Sequence, residues 1–206
     1  MKGKKHKLLI YNRLHRQRRG LYLFVALLFA GLFALPYVVD AETAQKLWPP
    51  EFDLVFAVLS GVTFLFFLFK LVAPRLAYVQ CAERNIRIQT PLYPIVISYR
   101  RLLSVRPNQW GQVYPPEKIK RSQRRLLGNA LGEGVLILDL KSWPMSRGFL
   151  KLWMPDVMFL PGGDGLVLWV EDWMKLNREL SDFKDRWREA RAGPRPEASL
   201  YGEMRR

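Results

Sequence analysis

The sequence has one cysteine, Cys81, and two histidines, His6 and His15, in 206 residues. A single cysteine excludes an intramolecular disulfide. Its neighbours alternate in polarity, so a small buried core residue is expected there. Neither histidine has a Cys, Asp or Glu at ligand spacing, so no metal site is expected. No serine stands in a nucleophile elbow, and one cysteine without a placed histidine is not a catalytic pair. The glycines of "GNALGEG" (128–134) precede a strand, and no Gly-Lys-Ser/Thr follows them, so they read as a turn and not as a phosphate loop. We therefore expect no catalytic residue, no bound cofactor and no enzymatic activity. The scattered acids Asp156, Asp164, Glu171 and Asp172 fit turns and caps. Asp139 interrupts an apolar strand and calls for a partner such as Arg100 or Arg101.

Charge is absent from two long runs. Residues 21–39, "LYLFVALLFAGLFALPYVV", and 54–69, "LVFAVLSGVTFLFFLF", carry none, and Leu71–Ala73 extend the second past Lys70. Each run makes a helix of about 30 Å, the thickness of a bilayer core. Apolar residues occupy every side of both, so neither has a polar face for water. Two transmembrane spans are expected, about 21–39 and 54–73, with Lys70 at the interface. A cleaved signal peptide is the alternative for the first. Its apolar region is longer than the usual h-region of roughly 7–15 residues, and a second span follows. Neither span holds a buried ionisable group, so transport by this chain alone is not expected.

Acids are absent from residues 1–20, which hold eight Lys/Arg, whereas Asp40–Asp53 hold four acids and only Lys46. The positive-inside rule then places both termini in the cytoplasm and the acidic loop 40–53 outside an inner (plasma) membrane. The net charge of +15 and a pI near 10.2 are accounted for by this topology. No recognition helix or RNP-type motif is present, and no specific nucleic-acid partner is expected.

Residues 75–191 read as a cytoplasmic domain rich in short strands. "NIRIQT" (85–90) and "PIVISY" (94–99) alternate, "LSVRP" (103–107) ends at Pro107, and "GVLILDLK" (134–141) is apolar on both faces apart from Asp139. "FLKLWM" (149–154), "VMFL" (157–160) and "LVLWV" (166–170) are further β-prone runs. With residues near Ala77–Cys81 this gives seven or eight strands, an antiparallel barrel or sandwich. Trp173, Leu176, Leu180, Phe183 and Trp187 then form one stripe on a C-terminal amphipathic helix, with Asp172 as its N-cap. Residues 192–206 read as a disordered tail.

The passage "NIRIQTPLYPIVISYRRLLSVRP" (85–107) resembles bacterial membrane proteins in which a two-helix hairpin is followed by a pleckstrin-homology-like (PH-like) domain. It is similar to their second strand, turn, third strand and "I-x-Y-x-x-I-x-x-V" passage, with Leu102 or Leu103 at the last apolar position. As an order of elements the resemblance covers 21–191. It implies an α+β membrane protein: a basic arm (1–20), a transmembrane hairpin (21–74), and a PH-like antiparallel β-barrel or sandwich closed by a C-terminal helix (75–191). A long insertion, 107–133, departs from the compact pattern.

That insertion holds Lys118, Lys120, Arg121, Arg124 and Arg125, five cations in eight residues, near Trp110 and Tyr114. These seven residues are the expected lipid or partner contact. Each cation near an anionic leaflet contributes up to about 1 kcal/mol. A solvated loop is the competing reading. The expected function is a non-enzymatic binding module held at the inner leaflet, whose partners are the lipid bilayer, anionic headgroups or an unidentified membrane protein, in scaffolding or assembly of a membrane complex. The alternative is an accessory subunit of a transporter or enzyme complex, its helices packed on a partner.

Overall fold

The computed structural model describes residues 2–16, 19–38, 51–115, 117, 124 and 127–192. It is a mixed α+β structure with antiparallel sheets and two helices long and apolar enough to cross a membrane.

The chain opens with a strand. β1 (Lys2–Lys7) leads into a short helix, α1 (Leu9–Arg16), and then into the two apolar helices α2 (Arg19–Val38) and α3 (Glu51–Leu76). Tyr22 lies against Phe66, Phe29 stacks on Phe56, and Ser60 donates to the Ala26 carbonyl at 3.2 Å. Partner numbers fall along α3 as they rise along α2, so the helices run antiparallel. The small side chain of Ala26, 4% exposed, lets them approach closely. The outer face is left uncovered: Phe24, Leu27, Leu54 and Leu65 are 63%, 64%, 73% and 67% exposed. In water each such side chain would forfeit roughly 1.5–3 kcal/mol of burial energy. The expected outer loop falls almost entirely on residues 39–50, which lie outside the described residues, as does the expected tail from residue 193.

After α3 come β2 (Tyr78–Ala82), β3 (Asn85–Gln89) and β4 (Pro94–Ser98), and β2 pairs back onto β1. Lys7 faces Tyr78, His6 faces Val79 and Lys5 faces Gln80. The sequence led us to expect a separate basic arm over 1–20; residues Lys2–Lys7 belong instead to the domain. They form the edge strand of a four-stranded sheet, order β1-β2-β3-β4, and the helical hairpin is inserted between two adjacent strands. An edge strand needs only one face inward and tolerates lysine well. Here the inward residue near its end is His6, 7% exposed.

The second sheet, β5-β6-β7, comprises Leu102–Gln109, Gly134–Leu140 and Gly165–Leu168. β5 does not stop at Pro107. It is an edge strand, where a missing N–H costs the ladder nothing, and it runs on to Gln109. The sheets meet at both edges. A 3₁₀ turn at Tyr99–Arg101 carries β4 into β5, and Leu8 bridges Val170 beyond the end of β7. Val79, Cys81, Ile86, Ile88, Ile95 and Ile97 point inward by strict alternation. Val135–Leu138 and all of β7 are buried on both faces.

Two of the expected strand runs differ. Arg147–Trp153 is a helix, α4, capped by Ser146, whose hydroxyl accepts from the Phe149 N–H. The apolar residues Phe149, Leu150 and Trp153 follow helical spacing, and a good N-cap outweighs weak β propensity in so short a run. Asp156–Met158 is a 3₁₀ turn, followed by a single bridge, Phe159 to Leu166. The last helix, α5 (Trp173–Ala192), has the expected register. It packs on β2, β5 and β6, burying Leu176, Leu180 and Phe183. Asp172 accepts from the Lys175 N–H at 3.0 Å, as an N-cap does.

Candidate interaction surface

The hairpin and the domain share one seam, and it begins at β1. Glu179 on α5 accepts from the Lys4 N–H at 2.9 Å and meets His6 Nε2 at 2.9 Å, tying the first strand to the last helix. A Cβ at Gly3 would meet the Glu179 carboxylate, so a larger residue there would displace this clamp. Past the strand, Leu9 N–H donates to the Trp169 carbonyl at 2.9 Å. α1 then lies between the sandwich and α3, with Tyr11 donating to the Trp153 carbonyl at 3.0 Å and the His15 ring edge-on to Phe69.

Trp110 and Tyr114, expected as surface contacts, are core residues, 0% and 8% exposed. This is a correction. Trp110 meets Trp169 edge to face at 5.8 Å and packs on Tyr114 at 5.5 Å. The Tyr114 hydroxyl donates to the Phe159 carbonyl at 2.6 Å, and burial raises its pKa. Rings enclosed in this way cannot reach a headgroup. Their signal was the spacing of Trp110, Val113 and Tyr114, one face of a single helical turn (Trp110–Val113).

Of the five cations, Arg124 is exposed. Lys118, Lys120, Arg121 and Arg125 lie outside the described residues. Both roots of this segment are fixed, at Tyr114 on one side and at Leu127 on the other. Arg13 of α1 donates to the Leu127 carbonyl at 2.9 Å, reaches Glu133 at 3.5 Å and lies 4.9 Å over the Trp169 ring. Glu133 in turn accepts from Trp169 Nε1 at 2.8 Å. The Leu127 root is thus held by the helix that leads into the hairpin.

Asp139 is paired, but not with Arg100 or Arg101. Arg106 meets it with two nitrogens, at 3.0 and 3.3 Å, and Ser104 donates to it as well. Same-face partners on neighbouring strands explain why the carboxylate is tolerated in β6. Arg101 donates instead to the Trp143 carbonyl. The Cys81 thiol is 0% exposed, and burial, with help from the Glu179 charge, pushes its pKa up to about 12. A thiolate nucleophile is not formed there at neutral pH. Among the described residues no three His, Cys, Asp or Glu side chains gather as a metal site.

A second basic feature was not singled out in the sequence. Arg84, Arg186 and Arg191 line a groove of about 610 Å³ with Glu83, Phe183 and Trp187. Arg186 lies over the Phe183 ring at 4.3 Å and Arg191 over Trp187 at 5.1 Å, so each guanidinium already has an aromatic partner on its own helix.

Comparison with family models, with curated proteins and with solved structures finds no match.

Proposed function

We propose that the chain is a membrane-anchored, non-enzymatic binding module. In this reading α2 and α3 cross the inner membrane as a hairpin, both termini are cytoplasmic, and the sandwich rests at the cytoplasmic leaflet as a PH-like domain. It presents the basic segment 118–125 there to anionic lipid or to an acidic partner. One observation carries the reading. The most apolar stretches of the two helices are 6% and 0% buried, yet both are inserted between strands that pair with each other. A hairpin so placed returns to the side it left, and its outer face matches hydrocarbon and not water. Seven strands and a closing C-terminal helix agree in number with the PH-like resemblance, although the first strand precedes the hairpin and Asn85–Gln89 is the third strand and not the second. Tethering raises the effective concentration of the domain at its partner without demanding high intrinsic affinity.

The test combines fractionation with sidedness. The chain is expected to stay in the membrane pellet after alkaline carbonate washing. Cysteines introduced at positions 45 and 120, in a Cys81→Ser background, are expected to label from opposite sides. Replacing the cations of 118–125 by Ser and Gln should weaken binding of the detergent-solubilised chain to vesicles containing phosphatidylglycerol. Release into the aqueous fraction, or labelling of both positions from one side, overturns the anchor. Unchanged vesicle binding, with a partner co-purifying through the helices alone, favours an accessory subunit of a larger membrane complex.

A further inference from the structure

Where the hairpin meets the sandwich there is a cavity of about 270 Å³, lined by α1, the foot of α3, the β3–β4 turn and α4. Its walls include His15, Phe69, Leu92, Lys151, Leu152 and Trp153. Three features of this place have no use in the fold itself. The first is its rim. Leu92 and Leu152 are 65% and 74% exposed, above Leu103 of β5 at 57%, on a domain that buries most of its leucines. The turn that carries Leu92 is rigid: Thr90 Oγ1 accepts from the Tyr93 N–H at 2.9 Å and donates to the Tyr93 carbonyl at 2.7 Å. The rim is braced by an aromatic trio in which Tyr93 stacks on Trp153 at 5.5 Å and Phe149 meets Tyr93 edge-on at 5.7 Å.

The second feature is unused hydrogen-bonding capacity. His15 is 7% exposed, and among the described residues its Nδ1 and the Trp153 Nε1 have no hydrogen-bond partner. Both atoms are closed to solvent, so a partner from outside the chain reaches them only where the cavity wall shifts, and a buried polar group left unpaired costs about 1–3 kcal/mol. The third is charge. Lys151 stands in the cavity wall, 51% exposed, with Asp156 at 3.5 Å as its acid, while burial first, and then the Lys70 and Arg19 charges, lower the His15 pKa.

We propose that this cavity binds one anionic phospholipid of the surrounding leaflet, with the headgroup phosphate at Lys151, the ester oxygens toward Trp153 and His15, and an acyl chain along Phe69, Leu92 and Leu152. The proposal rests on the reading that the hairpin spans the membrane. Phe69 precedes Lys70, the cation that interrupts the apolar run of α3, so the cavity lies at the level where that helix would leave hydrocarbon. Aromatic rims with a cation beside them are what an interface selects. A lipid held here would fix the angle between hairpin and domain, because it touches α1, α3 and α4 together.

The test uses the full chain in mild detergent, offered phosphatidylglycerol or phosphatidylcholine and read by native mass spectrometry. One phosphatidylglycerol per chain should be retained over phosphatidylcholine by about fivefold, the equivalent of one interfacial cation. Lys151→Gln should bring the two lipids close to equality. Trp153→Phe, which keeps the ring and removes the N–H, should weaken retention of both. Leu92→Asp with Leu152→Asp should abolish it. Replacing the cations of 118–125 by Ser and Gln should leave the single bound lipid in place, separating this site from the basic segment. Lys151 is exposed, so its variant keeps the fold, and a thermal melt verifies this for each protein. Equal retention of the two lipids by the natural chain, or retention unchanged in both Lys151→Gln and Trp153→Phe, overturns the proposal. If carbonate washing releases the natural chain, the membrane reading falls and the lipid site with it. Pellet retention without lipid preference removes this site alone.

Discussion

The hairpin and the sandwich are built from much the same apolar residues, and they dispose of them in opposite ways. In β3 and β4 the residues at every second position, Ile86, Ile88, Ile95 and Ile97, are fully buried, and Val96 between two of them is half-exposed. In α2 and α3 apolar residues cover the whole circumference, and two helices in contact can bury only one seam. Patterning, more than hydrophobic content, decides which region packs against itself and which leaves an apolar face uncovered. The same substitution should therefore have unlike consequences in the two places. Leu138→Ala, at 0% exposure in β6, should lower stability by about 2–5 kcal/mol, seen as a large fall in the melting temperature in detergent. Leu65→Ala, at 67% exposure on the hairpin, should stay within about 0.5 kcal/mol. If the two falls are equal, the hairpin's outer face is covered by protein, and the contrast is false.

A smaller effect probes the place where the regions are stitched together. Glu179→Ala leaves the Lys4 N–H and His6 without their acceptor and should cost about 1–3 kcal/mol. Hydrogen exchange should show the loss first in Lys2–Lys7 and its partner strand β2, with α2 and α3 unaffected. Uniform loss of protection across both sheets would mean that β1 does not open separately. Gly3→Ala should act in the same direction, since its Cβ would meet Glu179 and stand 3.2 Å from the Cys81 carbonyl.

What could be read from the sequence follows the same division. Strands β3, β4 and β6 and the stripe of α5 carry a period that belongs to one kind of element, and the two apolar runs carry length without period. β1 carries neither. "KGKKHK" has no apolar alternation, and its one inward position near the end is a histidine whose partner, Glu179, lies 173 residues away. No local rule finds a strand whose neighbour is supplied from beyond the hairpin. The run 149–154 misled for the opposite reason. It is apolar enough for a strand, and only Ser146 before it and the exposure of Leu152 distinguish a helix. The site was legible only in part. Cations advertise a surface, but the aromatic rings beside them, Trp110 and Tyr114, had been used for the core. The cavity under α1 joins residues 11 to 155 and has no linear trace.

Next in size is the carboxylate of β6. Asp139→Asn keeps the shape and removes the charge that Arg106 meets, at a site where the acid is 17% exposed and the arginine 55%. A pair so open to solvent is screened, and the loss should be about 1 kcal/mol or less, falling further with added salt. A loss that does not respond to salt would mean that the Ser104 hydrogen bond, and not the ion pair, holds the aspartate.

The smallest expected effect concerns Cys81 and pH. Burial raises its pKa from 9.0 to about 12, so between those values the unfolded chain sheds a proton that the folded chain keeps. Stability from this group is complete below pH 9 and declines as pH rises through the alkaline range toward 12. A maleimide reagent at pH 8 should accordingly leave Cys81 unlabelled in the native chain and label it once denaturant unfolds the sandwich. A Cys81→Ala variant should show a shallower fall in melting temperature above pH 9 than the natural chain, although its cavity lowers stability at every pH. Parallel curves for the two would remove the thiol from the alkaline instability. Rapid labelling of the native chain would mean that β2 opens to water, and that the strand following the hairpin is held less firmly than the core around it.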